Sequence, residues 1–276
     1  MLDKMTYTNH LNEQIVLGEN PYYANYSDLR DYSWDYTEAN SKILSFNKGI
    51  REYTLPVTIM CKTEAEGYQR RNDMYEIMEK DVLAGKYGTL EIGQYKLQCY
   101  VKDSAKSDFL QNKKHMIVNL VFVTDRPYWV KEKEYVFQQK NEEQGGASEF
   151  LDFDIEYAYD YTNSIERLQL VNQNFVASNF RLAIYGEALN PRVSVNGHVY
   201  EVSGTVEAGQ HLIIDSIAKT VTLHTKNGAV INKFNERNKD SYIFEKIPAG
   251  DLMLSRSDNF RFDLTLIEER GEPKWT

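Results

Sequence analysis

Short segments in which apolar and polar residues alternate recur along almost the whole chain, and one helical segment interrupts them. Alternation with a period of two puts successive side chains on opposite faces of a β-strand. Two runs show it most clearly. In the first run, one face is formed by Leu55, Val57, Ile59 and Cys61. In the second run, it is formed by Leu151, Phe153, Ile155, Tyr157, Tyr159 and Tyr161. The pattern predicts a mainly β protein.

Further strands are predicted in the first half of the chain. Residues 29–36 alternate, with Tyr32, Trp34 and Tyr36 on one face, and Met116–Val123 is apolar enough for a strand buried on both faces. Gly93-Gln94 is a turn by composition and predicts a hairpin between its flanking segments. Pro56 cannot donate a ladder hydrogen bond, which favours an edge strand or a strand start there.

One amphipathic helix is predicted from Thr63 to Ala84. Thr63 and Glu66 have the spacing of a capping box, and Gly85 is well placed to end the helix. Helical spacing brings four apolar or aromatic residues onto one stripe, which we expect to pack on the first sheet. They are Tyr68, Tyr75, Met78 and Val82.

The second half contains short strands separated by turns, the pattern of a β-sandwich. Asn196-Gly197 and Asn227-Gly228 predict hairpin turns, because both central residues of a type I′ turn need positive φ. The predicted strands after residue 161 are Ile165–Val171, Phe180–Tyr185, Arg192–Val195, His198–Val202, His211–Asp215, Thr220–His224, Ser241–Lys246 and Arg261–Glu268.

A polar stretch from Gln138 to Ser148, with Gly145-Gly146 at its centre, predicts an interdomain linker. A chain of 276 residues also suggests two domains at about 150 residues each. We therefore predict an N-terminal β-rich domain with one α-helix, residues 1–138, and a C-terminal β-sandwich domain, residues 149–276.

Charge and cysteine content exclude several classes of protein. A formal charge of −9 argues against a nucleic acid as a bound partner, because phosphate binding needs clustered Lys and Arg. Cys61 and Cys99 lie in apolar contexts outside any CxxC motif and are interpreted as small buried hydrophobic residues. The N-terminus lacks a signal-peptide pattern, and no apolar run is long enough for a membrane span. We expect synthesis in the cytoplasm.

The sequence predicts no catalytic, cofactor-binding or metal-ligating residue, no cofactor, and no enzymatic activity. Asp152, Asp154 and Glu156 are interpreted as a solvated strand face, because no glycine-bent loop that could wrap calcium accompanies them. No histidine pair has the spacing of metal ligands, although His198, His211 and His224 recur every thirteen residues and could meet across strands. GxSxG, P-loop and GxGxxG motifs are absent.

Several short segments occur in a characteristic order along the chain. Arg-Pro-Tyr-Trp precedes the linker. After the linker come Asn-Pro, the Asn-Gly hairpin, Ala-Gly, Ile-Ile-Asp, Ile-Pro-Ala-Gly, a Phe-Arg-Phe-Asp strand and a final Arg-Gly-Glu-Pro-Lys-Trp. They occupy residues 126–129, 190–191, 193–200, 208–209, 213–215, 247–250, 260–266 and 270–275. Together with the strand–helix–strand order of the first half, these segments resemble the distal tail protein family of siphophages, the long-tailed bacteriophages.

The resemblance implies a structural virion protein at the baseplate hub of the phage tail. Its N-terminal domain would form a homo-hexameric ring, and its C-terminal domain would be galectin-like. The implied partners are other copies of the chain, the tail tube protein, the tail-tip or tail-associated lysin protein, and receptor-binding or other baseplate proteins. DNA would only pass through the lumen. The implied location is the virion tail tip, after synthesis in the bacterial host cytoplasm.

Other classes of function stay open at this point. A carbohydrate-binding module of a tail adsorption device would share the sandwich; a tail-tube-like component of a phage-derived injection machine would share the ring; a glycan-degrading tail enzyme would need paired carboxylates. Trp34, Trp129 and Trp275 all lie outside the strands of residues 150–268, and no His-x-Asn-x-Arg run occurs. Partner binding by the second domain is therefore favoured over sugar binding, with the tyrosines of residues 157–161 as candidate sugar platforms.

Overall fold

The computed structural model describes residues 4–24, 27–108, 114–139 and 168–274. The chain divides into two compact units, one formed by the described residues of Met1–Lys131 and Glu269–Thr276, the other by those of Glu132–Glu268. Most of the predicted linker lies in 140–167, outside the described residues. The predicted domain limits at 138 and 149 therefore stay a prediction.

The described part of the first unit contains one helix, α1 (Glu64–Ala84), and is otherwise built of β-strands. The strands are β1 (Met5–Thr8), β2 (Gln14–Leu17), β3 (Tyr22–Ala24), β4 (Asp35–Ala39), β5 (Lys42–Asn47), β6 (Arg51–Met60), β7 (Gly88–Ile92), β8 (Tyr95–Asp108), β9 (His115–Thr124) and β10 (Trp129–Phe137), of which β10 runs on into the second unit.

Two antiparallel sheets of the first unit share the long strand β8. The first half of β8 pairs with β7 in a sheet of order β2-β1-β7-β8, and Val130 of β10 pairs with the free side of β8 there. The second half of β8 pairs with β9 in a sheet of order β3-β6-β9-β8. The predicted alternation in β6 is confirmed, since Leu55, Val57 and Ile59 are fully buried. Cys61 and Cys99 are buried free thiols, as predicted.

Three predictions for strands of the first unit need correction. Residues 29–34 form no strand, and β4 begins only at Asp35. Met116–Val123 lies within β9, but only one face is fully buried while the other is half-buried. Pro56 lies in the middle of β6 and not at a strand start; it is opposite Asn119 of β9 and just outside the segment that pairs with β3, so only one side of β6 is paired at this residue.

Both ends of α1 lie where the capping residues of the sequence predict them. The Thr63 side chain accepts a hydrogen bond from the Glu66 backbone N–H, the Glu66 carboxylate accepts one from the Lys62 N–H, and Gly85 closes the helix in the left-handed region. The predicted buried stripe is wrong for Tyr68, Tyr75 and Val82, which are exposed, and right for Met78. The stripe that is buried consists of Gly67, Arg71, Met74, Met78 and Asp81.

A buried polar network explains how a carboxylate comes to lie on the inner face of α1. Asp81 accepts hydrogen bonds from the Tyr7 hydroxyl at 2.6 Å and from the His10 backbone N–H at 2.8 Å, and it lies 2.6 Å from His10 Nδ1. Burial, followed by the hydrogen bond to Asp81, raises the pKa of Tyr7 far above its usual value. The network fastens the β1–β2 turn to the helix.

The described part of the second unit consists of β-strands and one 3₁₀ turn at Phe234–Glu236. The strands are β11 (Leu168–Asn172), β12 (Asn179–Tyr185), β13 (Ala188–Leu189), β14 (Arg192–Val195), β15 (His198–Glu201), β16 (Thr205–Val206), β17 (His211–Asp215), β18 (Thr220–His224), β19 (Val230–Asn232), β20 (Gly250–Arg256) and β21 (Phe262–Arg270).

These strands form a two-sheet antiparallel sandwich, as predicted for the second half. One sheet has the order β19-β18-β17-β12-β21 and the other β11-β20-β14-β15. Apolar side chains from both sheets form one buried cluster, in which Phe180 of the first meets Tyr200 of the second edge to face at 5.0 Å.

Three local predictions differ in outcome. Asn196 and Gly197 both have positive φ and close the β14–β15 hairpin, as predicted. Asn227-Gly228 lies in the β18–β19 turn, where only Gly228 of the two has positive φ. Ser241–Lys246 is not a strand; it is a loop that buries Ile243 and Phe244, whereas β20 was not predicted. No helix among the described residues combines the length and apolar character needed to cross a membrane.

Candidate protein interface

The hairpin formed by β4 and β5 is exposed over its entire length. Its register places Tyr36 opposite Phe46, and Glu38 opposite Ile43, so these four side chains share one face. Leu44 occupies a bulge between the two pairs. Large apolar side chains are rarely clustered on the surface of a monomer, and an isolated two-stranded hairpin is at best marginally stable in water. The face is a candidate protein interface.

The opposite face of this hairpin is polar. The hydroxyls of Thr37 and Ser45 lie 2.6 Å apart across the two strands. At the root, Arg51 donates to the Asp35 carboxylate at 2.8 Å, and the Gly49 N–H donates to its other oxygen at 3.1 Å. The hydrogen bond from Arg51 is the main reason why the pKa of Asp35 is lowered. The hairpin is thus amphipathic and fixed at its base.

Lys48 supports the root from the other side. Its ammonium lies 4.9 Å from the ring centre of Trp34 and 4.8 Å from that of Tyr128, and it donates to the Pro127 carbonyl at 3.1 Å. Burial is the main cause of the lowered pKa of Lys48. Two aromatic faces and a carbonyl are favourable partners for such a cation. Trp34 therefore has a role at the root of the hairpin and not in the strand that the sequence predicted.

The last described residues of the chain return to the same region of the first unit. Arg30 donates to the backbone carbonyls of Pro273 and Lys274 at 3.0 and 3.1 Å, and Arg126 pairs with Glu269 at 2.9 Å. The Arg126-Pro127-Tyr128-Trp129 segment and the C-terminal segment, two parts of the family resemblance, thus both stand at the base of the hairpin. Their proximity could not be read from the sequence.

A second apolar surface lies on α1 and is unlike the first. Tyr75, Val82 and Leu83 are exposed on the helix, beside a groove of about 260 Å³ between α1 and β8. Apolar and polar side chains line this groove in similar measure: Arg71 lies on its floor, and Glu79, Lys102, Asp103 and Ser104 also line it. The apolar residues of the floor are Met74, Met78, Val101 and Leu120. A chain with two unlike apolar surfaces has what a head-to-tail contact requires.

Of the three histidines that could meet across strands, the fold brings only two together. His211 of β17 and His224 of β18 stack with ring centres 4.8 Å apart, whereas His198 packs on Tyr200 in the other sheet. Burial, followed by repulsion from His224, lowers the pKa of His211. Within the described ranges, no group of three or more His, Cys, Asp or Glu residues is placed to hold a metal ion.

Several residues singled out in the sequence lie outside the described part of the chain. They include Asp152, Asp154 and Glu156 of the acidic row, the sugar-platform candidates Tyr157, Tyr159 and Tyr161, and Trp275. Trp34 and Trp129 lie in the first unit, and Trp129 is fully buried there. Among the described residues, no tryptophan is available to the sandwich of the second unit as a sugar platform.

Comparison by sequence finds no matching family model and no matching curated protein. Comparison of folds is informative. The chain is similar to the Dit protein (gp 19.1) of phage SPP1, described as a paradigm of the hub adsorption apparatus in phages infecting Gram-positive bacteria, with a TM-score of 0.62 at 10% identity. The likeness covers 96% of this chain and 99% of the SPP1 protein.

A chain of the phage P2 baseplate in its activated conformation with calcium is also similar, with a TM-score of 0.58 at 13% identity, over 99% of this chain and 100% of that one. The same baseplate with strontium gives the same values. At this coverage, the likeness includes both units and nearly the full length of each compared protein. The resemblance seen in the sequence is confirmed at the level of the fold: this chain has the fold of phage tail hub and baseplate proteins.

Proposed function

We propose that this chain is a structural, non-enzymatic hub subunit of a phage tail tip. It forms a hexameric ring that joins the tail tube to the tail-tip and host-adsorption apparatus. The observation that carries the proposal is the full-length likeness to a phage hub protein, since it covers 96% of this chain and 99% of the SPP1 chain. A likeness confined to the sandwich would support only a common β fold, because such folds host many functions.

The two apolar surfaces of the first unit support a ring. A closed ring is assembled head to tail, so each subunit needs two different surfaces that fit each other. The apolar face of the β4–β5 hairpin and the groove beside α1 are two such surfaces. They lie on separate elements of the first unit, to which the family resemblance assigns ring formation.

The charge of the chain supports the proposed passage of DNA through the ring. A formal charge of −9 gives six subunits a strongly acidic assembly, and like charges do not trap the phosphate backbone. The proposed contacts with the tube on one side and with tail-tip proteins on the other leave the second unit free to present its loops to those proteins.

Electron microscopy of intact tails tests the proposal. We expect density for this chain as one six-fold ring at the junction between tube and tip, identified by antibody labelling. Repeated rings along the tube would instead identify a tail-tube-like component. Absence of the chain from the junction would contradict the proposal. A monomer in dilute solution would not, because ring assembly can depend on neighbouring tail proteins.

A further inference from the structure

Arg71 is a buried cation without a counter-ion among the described residues. It is 9% exposed, its Nη2 donates to the Ser104 hydroxyl at 2.8 Å, and its guanidinium lies 5.4 Å from the ring centre of Tyr75. Its Nε–H is buried without any hydrogen-bond acceptor. Among the residues that the structure describes, Arg71 forms no ion pair; Glu79 and Asp103 line the same groove without pairing with it.

A buried charge without a partner is costly, and proteins normally pair it. Arg71 shares the groove with apolar side chains such as Met78 and Val82 as well as with polar ones, so a partner bound there would bring apolar groups together with an anion for Arg71. The groove volume of about 260 Å³ is below the roughly 300–1,000 Å³ that is usual for small-molecule sites. Its size suits one or two inserted side chains of another protein surface.

The β4–β5 hairpin carries the complementary group. Its exposed face combines Tyr36, Phe46 and Ile43 with one carboxylate, Glu38. Glu38 has no ion-pair or hydrogen-bond partner among the described side chains, whereas Lys102 at the groove rim is already paired with Glu52 at 2.6 Å. Among the described residues, the hairpin face thus offers an unpaired anion beside apolar groups, and the groove offers an unpaired cation, Arg71, beside the apolar side chains of Tyr75 and Val82.

We infer that the groove between α1 and β8 receives the apolar face of the β4–β5 hairpin of a second copy of this chain, with Glu38 of the incoming copy paired to Arg71. The inference rests on the proposed ring and assigns its contact to particular residues. Each copy offers one hairpin and one groove, so the contact propagates from subunit to subunit until the ring closes.

Disulfide trapping tests the contact in the full-length chain. A variant with both Ile43→Cys and Val82→Cys carries one thiol on each surface, at positions that are 54% and 45% exposed. Mild oxidation of the concentrated protein should give a ladder of linked subunits that ends at the closed ring. Cys61 and Cys99 are buried, so they add little background.

The matched control replaces Ile43→Cys by Lys42→Cys, the adjacent residue, which lies on the other face of the hairpin. We expect no ladder from it. A ladder of equal strength from the control, or none from the Ile43→Cys pair, would overturn the inference. Electron microscopy of the same samples separates the two ideas, because rings without a ladder reject this contact and not the ring. The ring itself is tested in intact tails, since its assembly can depend on neighbouring tail proteins.

The charge pair is tested in the same trapping background. Arg71→Met keeps an unbranched apolar chain on the floor, so the fold should persist while the ladder weakens by about 30-fold or more. Lys96→Met removes an exposed cation of the same strand that does not line the groove, and it should have no effect. Combining Arg71→Glu with Glu38→Lys should restore linkage that either change alone abolishes. If Arg71→Met leaves the ladder unchanged, Arg71 is not the partner of Glu38.

Discussion

Two hairpins of this chain are closed by the same kind of turn and are put to opposite uses. In β14–β15, Asn196 and Gly197 take positive φ, and Val193, Val195 and Tyr200 are buried in the sandwich core. In β4–β5, Asn40 and Ser41 take positive φ, but Tyr36, Ile43 and Phe46 are exposed. Turn chemistry makes a hairpin in both places. Only the surrounding structure decides whether its apolar face stabilises the unit or remains for another molecule.

The largest difference in unfolding free energy between the two hairpins is expected when an aspartate is placed on the apolar face of each. Val195→Asp buries an unpaired carboxylate at a site that is 2% exposed, and it should lower the unfolding free energy of the second unit by about 4 kcal/mol or more. Ile43→Asp, at an exposed site, should change stability by no more than about 0.5 kcal/mol. Calorimetry of both variants measures this. Equal destabilisation by Ile43→Asp would mean that the hairpin is already covered in the free chain.

An intermediate effect is expected at the root of the exposed hairpin when the pH is lowered. The pKa of Asp35 is lowered in the folded chain, chiefly by the hydrogen bond from Arg51. Its stabilising contribution is therefore complete above the ordinary Asp pKa of about 3.9 and is lost as the pH falls through the lowered value. Amide-exchange protection of residues 36–46 should decrease in that range, while that of β14–β15 should not.

Asp35→Asn provides the control for this pH effect. The amide keeps the shape of the side chain but cannot pair with Arg51 as an anion, so protection of the hairpin should be lower at neutral pH and should no longer vary through the acid range. The proposed role of Asp35 would be contradicted by a parent chain whose hairpin protection, corrected for intrinsic exchange, is the same above and below that range.

The smallest effect is expected from the turns themselves. Ser41 has a φ of 58°, which is unfavourable for a residue with a Cβ atom. Ser41→Gly should therefore stabilise the exposed hairpin by about 1 kcal/mol or less, seen as a severalfold rise in amide protection. Gly197→Ala, at a φ of 87°, should act in the opposite direction on the packed hairpin. Equal signs for the two changes would show that turn strain does not limit either hairpin.

The parts of the fold that depend on local chemistry could be predicted from the sequence. Thr63 and Gly85 set the ends of α1 because capping involves only neighbouring residues. Asn196-Gly197 fixed the β14–β15 turn for the same reason, and the alternation in β6 was strong enough to identify its buried face. The resemblance to phage tail proteins correctly indicated the fold of both units.

What could not be predicted depends on distant partners. The buried stripe of α1 includes Arg71 and Asp81, and nothing in the sequence shows that Ser104 or Tyr7 will meet them. Because the prediction considered only apolar and aromatic residues, it placed the buried stripe on Tyr75 and Val82, which are exposed. The exposed hairpin was missed because Asn40-Ser41 is a weaker turn signal than Asn-Gly. Alternation in the sequence predicts that a strand has an apolar face, but only the folded structure shows whether other elements cover that face.

The strand β8 has a consequence for how the first unit unfolds. Its residues Tyr95–Cys99 are bonded to β7, and those from Tyr100 onwards to β9, so neither sheet can open without disturbing a strand of the other. We therefore expect the two sheets to open as one cooperative unit, with amides in β7 and β9 exchanging through the same large-scale opening. The pairing of β1 with β7 closes a long loop of chain, so we expect this unit to form slowly compared with local hairpins.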